Sequence, residues 1–415
     1  MIEALPAGWL AGLSALSGPL ALDWAVLLAL AALAGHLVHR FAGLPKIVGY
    51  VAVGALAGWL GLAGAVWPLS GTGLFVLELG IAVVLFEAGA RLPLRWLRHN
   101  PMVLVQSLAE SLLTFAAAWL ALRALGLEVP VVRALSVIAV AASPAVLTRV
   151  VHDLRASGPV ADRALALATL NTLYALTIGT AMLRTIGRGD DTLLASVAAS
   201  AAVLLLSLLC GALLAALLAA ALRVLHPGSQ DTAIVILALL AVCTGVTAPL
   251  GGSAPLAALL GGLLLKHVHR RPWVWPRQLG TAASMLGIIM FVLVTRAAAQ
   301  AGWSVAAAQA ALALIAARLA AKTLGLMGAS FGSGLTLHKS FWAGVALTPM
   351  SAVALLLTSR FAAASHTIGE QVAGIALPVI LVTELLGAML VMAAFYRAGE
   401  AALRRPAPRG EDTRP

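Results

Sequence analysis

The chain has 415 residues, of which 61% are hydrophobic and only 10% are charged, and its formal net charge is +11. Because a soluble globular domain carries about 25% charged residues, this composition excludes a water-soluble fold. The basic residues are scattered between apolar runs instead of clustering on one domain, which argues against a nucleic-acid partner.

Thirteen predominantly apolar runs follow one another along the chain. A helix needs about 20 such residues to cross a bilayer, and a backbone in lipid must satisfy its own hydrogen bonds as a helix or a closed barrel. The runs are too long and too rich in Ala and Leu for barrel strands, so we predict an all-α polytopic protein embedded in the lipid bilayer. The predicted spans are 22–38, 46–62, 73–90, 101–122, 130–151, 163–185, 193–222, 231–250, 253–267, 279–299, 304–327, 339–359 and 370–396.

The connections between these spans share the basic residues unevenly. Numbered alternately, those on one side hold roughly three times as many Lys and Arg residues as those on the other, and the positive-inside rule makes the richer side cytoplasmic. We therefore expect the amino end outside and the carboxyl end inside. The chain divides into a transmembrane domain over 1–397 and a solvated, Arg/Pro-rich cytoplasmic tail over 398–415.

Two of the spans each contain a proline that follows a hydroxylated residue. Pro144 follows Ser143 in the fifth span, and Pro349 follows Thr348 in the twelfth. Proline removes an N–H and clashes one turn back, so a single such residue is read as a kink. Two at matching positions instead predict broken helices in inverted repeats, with spans one to six and eight to thirteen as the repeats and span seven as a linker.

Five segments in order resemble one known family of membrane proteins. They are LPKIVGYVAVGALAG at 44–58, ELGIAVVLFEAGARLPLRWL at 78–97, AASPAVLTRVVHDLRASGP at 141–159, ALTPMSAVALLL at 346–357 and VILVTELLGAMLVMAAF at 379–395. These segments resemble those of the monovalent cation:proton antiporter-2 family, the Kef-type and sodium:proton exchangers. The resemblance extends over about residues 25–397.

The resemblance implies a fold with a dimerisation part and a core part, in which the core holds two crossed broken helices and moves to give alternating access. It also implies a homodimer in a bacterial inner membrane that exchanges a monovalent cation, Na⁺ or K⁺, for H⁺. In this family the cation and proton share a carboxylate site in the sixth span, usually Asp-Asp, Asn-Asp or Gln-Asp. The matching stretch here, LATLNTLYALTIG, has Asn171 and Thr172. Threonine cannot hold a negative charge near neutral pH.

The missing aspartate makes other carboxylates inside the spans candidates. Ionisable residues are expensive in lipid and are functional by default, so we predict that Glu87 or Glu384 supplies the titrating charge. A polar cap for Glu87 and a structural role for Glu384 are the alternatives. Glu110 is read as a structural partner of another helix. The predicted ion-binding region also includes Ser143, Pro144, Asn171, Thr172, Thr348 and Pro349.

Three basic residues lie within the later spans. Arg296 is read either as neutralising the core site, as a basic residue does in related transporters, or as snorkelling at the end of its span. Arg318 is deeply placed and needs a partner such as Glu384 or a helix carbonyl end. We predict that Lys322, one turn further on, reaches the cytoplasmic interface.

Two functions remain open. The first is a secondary antiporter in which proton and cation compete for a site near the broken helices. The alternative is a divergent homologue without exchange activity that acts as a sensor or partner-binding membrane protein; the missing aspartate favours it, and the lack of a soluble output domain disfavours it. We expect no enzyme activity, cofactor or metal site, because Asp190-Asp191 stands alone and His267-x-His269 lies in a basic loop without carboxylates.

Overall fold

The computed structural model describes residues 20–62, 67, 69, 71–92, 98–186, 192–268, 277–300, 304–350 and 352–401. A π-helical turn at Val38–Ala42 extends the first helix. The helices of the described residues are α1 Leu20–Leu37, α2 Lys46–Trp59, α3 Gly71–Arg91, α4 Met102–Ala124, α5 Val129–Val140, α6 Pro144–Leu154, α7 Pro159–Ile186, α8 Leu193–Val224, α9 Gln230–Thr247, α10 Ala254–Val268, α11 Arg277–Ala299, α12 Val305–Gly328, α13 Leu337–Ala346, α14 Ala352–Ala364 and α15 His366–Arg397.

These helices fall in all thirteen predicted spans. Ten described segments are long and apolar enough to cross a membrane, and shorter apolar helices lie at Lys46–Trp59, Ala254–Val268 and Ala352–Ala364. The fifth span is the pair α5 and α6, and the twelfth is the pair α13 and α14. The predicted all-α fold with two broken helices is therefore confirmed.

The two breaks have different local causes. In the fifth span, α5 ends at Val140 and α6 begins at Pro144, where the missing proline N–H costs no helical hydrogen bond. The Ser143 hydroxyl caps α6 by accepting a hydrogen bond from the Val146 N–H at 3.3 Å. In the twelfth span Pro349 lies inside the gap between the half-helices, and the chain resumes as α14 at Ala352.

The helices pack as two bundles, and each bundle contains helices from both of the predicted repeats. The scaffold bundle contains α1–α3 and α9–α11, and the core bundle contains α4–α7 and α12–α15. Equivalent helices of the two repeats make equivalent contacts: α3 packs on α10 as α2 packs on α11, and α4 and α12 pack on each other. Helix α8 links the repeats and lies against α7 and α10.

Glycines allow the closest crossing in the scaffold bundle. A Cβ added at Gly89 of α3 would overlap the Leu259 carbonyl of α10, and one at Gly262 of α10 would overlap the Phe86 carbonyl of α3. The two backbones are therefore in direct contact on both sides of the crossing. Without a hydrophobic force between helices in lipid, this kind of close packing holds them together.

The carboxyl end of α15 is joined to the beginning of α7. Both carboxylate oxygens of Glu400 accept hydrogen bonds at 2.8 Å, one from the Val160 N–H and one from the Ala161 N–H. These are first-turn N–H groups of α7, which have no partner within the helix. Residues 402–415 of the predicted tail lie outside the described residues, and the domain boundary at 397 stays a prediction.

Replacing Gly262 with valine is expected to destabilise the protein, because the added side chain overlaps the Phe86 carbonyl and overpacking costs about 1–3 kcal/mol. The same change at Gly245, where nothing lies within 4 Å of an added Cβ, is the matched control. Thermal unfolding of the two detergent-purified variants measures the difference. Equal midpoints would contradict the close crossing of α3 and α10.

Candidate functional site

Arg318 of α12 lies where the two broken helices cross, and it is only 1% exposed. Its guanidinium donates to carbonyls at the ends of both α5 and α13. The acceptors are Ala139 from Nε at 2.8 Å, Ala141 from Nη2 at 2.6 Å, Leu347 from Nη2 at 3.2 Å, Pro349 from Nη2 at 3.3 Å, and Thr348 from Nη1. Of the two partners considered from the sequence, Glu384 and a helix carbonyl end, the carbonyl ends are observed.

The positive charge of Arg318 compensates the partial negative charge at two helix ends. The last carbonyls of a helix have no partner within it and carry a partial negative charge. Two such ends meet at Arg318, and the five N–H groups of a guanidinium form a planar fork that serves both. A single buried cation therefore stabilises the ends of both α5 and α13.

Thr172 of α7 contacts the first break directly. Its hydroxyl lies 3.0 Å from the carbonyl oxygen of Ala142 in the gap and 2.8 Å from that of Ala168 in its own helix. Both distances allow the hydroxyl to donate. At the second break the Thr348 hydroxyl donates to the Val345 carbonyl at 2.6 Å. These hydroxyls support the backbone at the breaks and bring no charge to them.

A second buried cation, Lys322, lies one turn along α12 from Arg318. Its Nζ forms an ion pair with Oε1 of Glu110 in α4 and donates to the Val140 carbonyl at 3.3 Å. Lys322 and Glu110 are both 0% exposed, so the prediction that Lys322 reaches the cytoplasmic interface is wrong. The physical reason is the close packing of α4 on α12: a Cβ at Gly325 would come within 2.7 Å of the Glu110 Cα.

The ion pair extends by hydrogen bonds to Asn171. The Ser111 hydroxyl lies 3.3 Å from Oε2 of Glu110 and 3.0 Å from Oδ1 of Asn171, within donating distance of both. Asn171 is fully buried, and its Nδ2 has no hydrogen-bond partner among the described residues. We call Glu110, Ser111, Asn171 and Lys322 the Glu110 cluster. It joins α4, α7 and α12 in the core bundle.

Glu384 is buried in the core bundle outside the Glu110 cluster. It is 1% exposed, and within the described part of the chain neither carboxylate oxygen has a hydrogen-bond partner. Three residues further along the same face of α15, Gly387 packs against Pro349, where an added Cβ would lie 2.8 Å from the proline Cγ. Glu384 therefore lies on the face of α15 that meets the second break.

Glu87 and Arg296 lie in the scaffold bundle. Oε1 of Glu87 accepts a hydrogen bond from Nη2 of Arg91 at 2.5 Å, one turn along α3. The Arg296 side chain is fully buried and lies over the ring of Trp24, with 5.2 Å between Cζ and the ring centroid. The structure thus does not bring either side chain into the Glu110 cluster or to Arg318.

Glu110 is absent from the predicted ion-binding residues, and the structure places its carboxylate in an ion pair with Lys322 inside the core bundle. The available signal was the four-residue spacing of Arg318 and Lys322, which places two cations on one face of a buried helix and requires a nearby anion. No group of three or more His, Cys, Asp or Glu residues within the described ranges is arranged to hold a metal ion. Asp190, Asp191 and His269 lie outside those ranges.

A family model described as the transmembrane part of sodium/hydrogen exchangers matches residues 26–394. Two solved structures of the sodium proton antiporter MjNhaP1 from Methanocaldococcus jannaschii have a similar fold. The structure at pH 8 gives a TM-score of 0.68 at 17% identity, covering 91% of this chain and 99% of that one. The electron-microscopy structure gives 0.69 at 16% identity, covering 91% and 98%. No curated protein matches the chain.

Removing one member of the Glu110–Lys322 pair is expected to cost more stability than removing both. Lys322→Met leaves a buried carboxylate without its counter-ion, which costs about 3–5 kcal/mol, whereas replacing a whole buried pair with uncharged side chains is close to neutral. Thermal unfolding of Lys322→Met and of Glu110→Gln/Lys322→Met measures this. A double variant no more stable than the single one would show that the two charges are not coupled.

Proposed function

Because the chain belongs to the sodium/hydrogen exchanger family, we propose that it exchanges a monovalent cation, Na⁺ or K⁺, for H⁺ across a bacterial inner membrane. The family is one of transporters, not of enzymes. The observation that supports the proposal is the buried ion pair of Glu110 and Lys322. The Ser111 hydroxyl lies within hydrogen-bonding distance of both the Glu110 carboxylate and the Asn171 amide. The residue after Asn171 is Thr172, at the position where the resemblance implies an aspartate.

In this proposal the Glu110–Lys322 pair holds the exchangeable proton. The pair is neutral while the lysine carries its proton, and loss of that proton leaves one negative charge on Glu110. A bound monovalent cation restores neutrality. Because an uncompensated charge is costly in a buried cluster, the release of the proton and the binding of the cation are coupled.

A cation that sheds its water also needs neutral oxygen ligands. We propose that the Ser111 hydroxyl and the Asn171 amide oxygen supply them, since both already belong to the hydrogen-bonded chain that begins at Glu110. The residues at the breaks are proposed to shape the site through the backbone they hold. These residues are Ser143, Pro144, Thr172, Arg318, Thr348 and Pro349.

Of the two carboxylates predicted to supply the titrating charge, Glu384 keeps that role in this proposal and Glu87 does not. Glu384 is buried beside the second break without a hydrogen-bond partner in the described residues, and we propose it as a second titrating group. Glu87 lines a cavity of about 600 Å³ between the bundles. Because Arg91 neutralises its charge, we propose that Glu87 is a polar cap of α3 at that cavity. Arg296 is proposed to stabilise the scaffold bundle.

We propose that the amino end lies outside and the carboxyl end inside, with a cytoplasmic tail from residue 398. The uneven distribution of Lys and Arg between alternate connections supports this orientation. We also propose a homodimer formed through the scaffold bundle. Its support is the division into two bundles, for which the resemblance implies a dimerisation part and a moving core.

The alternative function is a homologue that has lost exchange and acts as a sensor or partner-binding membrane protein. The specific observation in its favour is Thr172, whose hydroxyl bonds backbone carbonyls at the first break and brings no charge. In that case the Glu110–Lys322 pair serves only stability. A Thr172→Asp variant that gains exchange, while the wild type has none, would support this alternative.

Cation-dependent proton movement in everted membrane vesicles tests the exchange. We expect the wild type to exchange Na⁺ or K⁺ for H⁺, and Glu110→Gln to lose about 10²-fold or more of that exchange, because the buried site then has no negative charge to balance the cation. Glu87→Gln is the control, with exchange of the same order as wild type. Full exchange in Glu110→Gln would refute the assignment of Glu110 as the carboxylate that balances the charge of the cation.

Fusions to the carboxyl end test the orientation. A green fluorescent protein fused after residue 415 is expected to fluoresce, and an alkaline phosphatase at the same place is expected to be inactive, because the tail is proposed to be cytoplasmic. A green fluorescent protein fusion that is dark, together with an active alkaline phosphatase fusion, would contradict the proposed orientation but not the fold. Both fusions are measured in intact bacterial cells.

A further inference from the structure

Two cavities open between the scaffold and core bundles. The Glu78 cavity, of about 350 Å³, has Glu78, Thr180 and Arg360 in its wall. The Arg149 cavity, of about 600 Å³, has Tyr50, Arg149 and Ser284 in its wall. In each case the wall includes residues from both bundles. A transporter with a central site needs such openings on both of its sides.

The course of α3 shows that the cavities lie at opposite ends of the boundary. Glu78 lies in the first half of this helix, and Arg91, its last residue, lines the Arg149 cavity. The α3 residues that line the Arg149 cavity are Val84, Glu87 and Arg91, six to thirteen positions beyond Glu78, or about 9–20 Å along a helix that rises 1.5 Å per residue. One cavity therefore opens toward each side of the membrane.

At the Glu78 cavity, polar contacts tie the core bundle to the scaffold bundle. Nη2 of Arg360 in α14 forms an ion pair with Oε1 of Glu78 in α3, whose side chain is only 8% exposed. Next to it, the Ser359 hydroxyl donates to the Leu69 carbonyl at 3.3 Å. A charge-assisted contact of this kind is directional, unlike the apolar packing around it.

At the Arg149 cavity, hydrogen bonds also join the core bundle to the scaffold bundle. Arg149 in α6 of the core bundle donates from Nη2 to the Tyr50 hydroxyl of α2 at 3.1 Å and from Nη1 to the Ser284 hydroxyl of α11 at 3.2 Å. One turn along α6, Oδ2 of Asp153 accepts a hydrogen bond from the Lys46 N–H at the start of α2 at 3.1 Å. Arg149 thus binds two scaffold helices at once.

We propose that these two sets of contacts are alternating latches, and that Arg360 and Arg149 are the positioning residues that set which side is open. Movement of the core bundle that widens the Glu78 cavity breaks the Arg360–Glu78 pair and keeps the Arg149 contacts. The opposite movement breaks the Arg149 contacts and keeps the pair. The inference rests on the proposed transport function for its purpose, but the movement itself can be measured separately.

Removing one latch then shifts the balance between the two open states. A lost hydrogen bond to a charged group changes a two-state ratio by roughly tenfold. We expect Arg360→Gln to favour the state open at the Glu78 cavity and Arg149→Gln to favour the state open at the Arg149 cavity. The gentler variant Tyr50→Phe removes one of the Arg149 contacts and is expected to shift the ratio in the same direction as Arg149→Gln.

Labelling of single cysteines by a bulky maleimide measures this ratio in the detergent-purified full chain. The background replaces Cys210 and Cys243 with serine. Thr180→Cys reports on the Glu78 cavity, and Gly287→Cys reports on the Arg149 cavity, where an added Cβ meets nothing within 4 Å. We expect Arg360→Gln to raise the rate at position 180 and lower it at position 287. Arg149→Gln and Tyr50→Phe are expected to do the reverse.

The matched control is Arg123→Gln, which removes a hydrogen bond to the Leu127 carbonyl at the end of α4, away from the lining of either cavity, and is expected to leave both rates unchanged. Exchanging the charges, with Glu78→Arg and Arg360→Glu together, is expected to restore wild-type rates. Rates that rise together at both reporters, or do not change in any variant, would overturn the latches. If the labelling rates shift in opposite directions but the protein exchanges no cation, the latches are supported and the proposed function is not. If the protein exchanges cations but the labelling rates do not change in any variant, the proposed function is supported and the latches are not.

Discussion

The guanidinium of Arg318 holds together the ends of two half-helices, and the rest of the core bundle depends on that interaction. A broken helix in a membrane exposes carbonyls that no water can reach, each costing several kcal/mol if left without a partner. Arg318 is buried and bonds such carbonyls in both breaks. Because these carbonyls have a partner, the two breaks are stable at the centre of the protein. Polar side chains of α7 and α12 lie next to the breaks there.

The position of the charge in the Glu110 cluster follows from the same packing. Thr172 bonds the first break, so the sixth span offers a neutral contact where the resemblance implies an aspartate. The negative charge lies instead on Glu110 of α4, brought to Lys322 by the close approach of α4 and α12 at Gly325. Asn171 belongs both to the pair of positions that the resemblance implies and to the Glu110 cluster, because Ser111 links it to Glu110. In the proposed site the carboxylate therefore lies on α4, whereas the resemblance implies one on α7.

The sequence predicted the spans and the breaks well because their causes are local. Apolar run length sets a span, and Pro144 and Pro349 each interrupt a helix whatever packs around it. The partners of Lys322 and Glu110 depend on which helices are in contact. The length of the apolar runs and the spacing of the charged residues do not predict those contacts. For this reason the sequence predicts Lys322 at the interface and Glu110 as the partner of an unspecified helix, whereas the structure pairs these two residues in the core. The resemblance identified Asn171, which does join the cluster.

Proton release on cation binding tests most directly whether Glu110 carries the exchangeable charge. The purified protein is placed in weakly buffered detergent solution, Na⁺ or K⁺ is added, and the change in pH is recorded. Our account predicts that the wild type releases protons in proportion to the cation bound, and that Glu110→Gln releases none. Undiminished proton release from Glu110→Gln would contradict it.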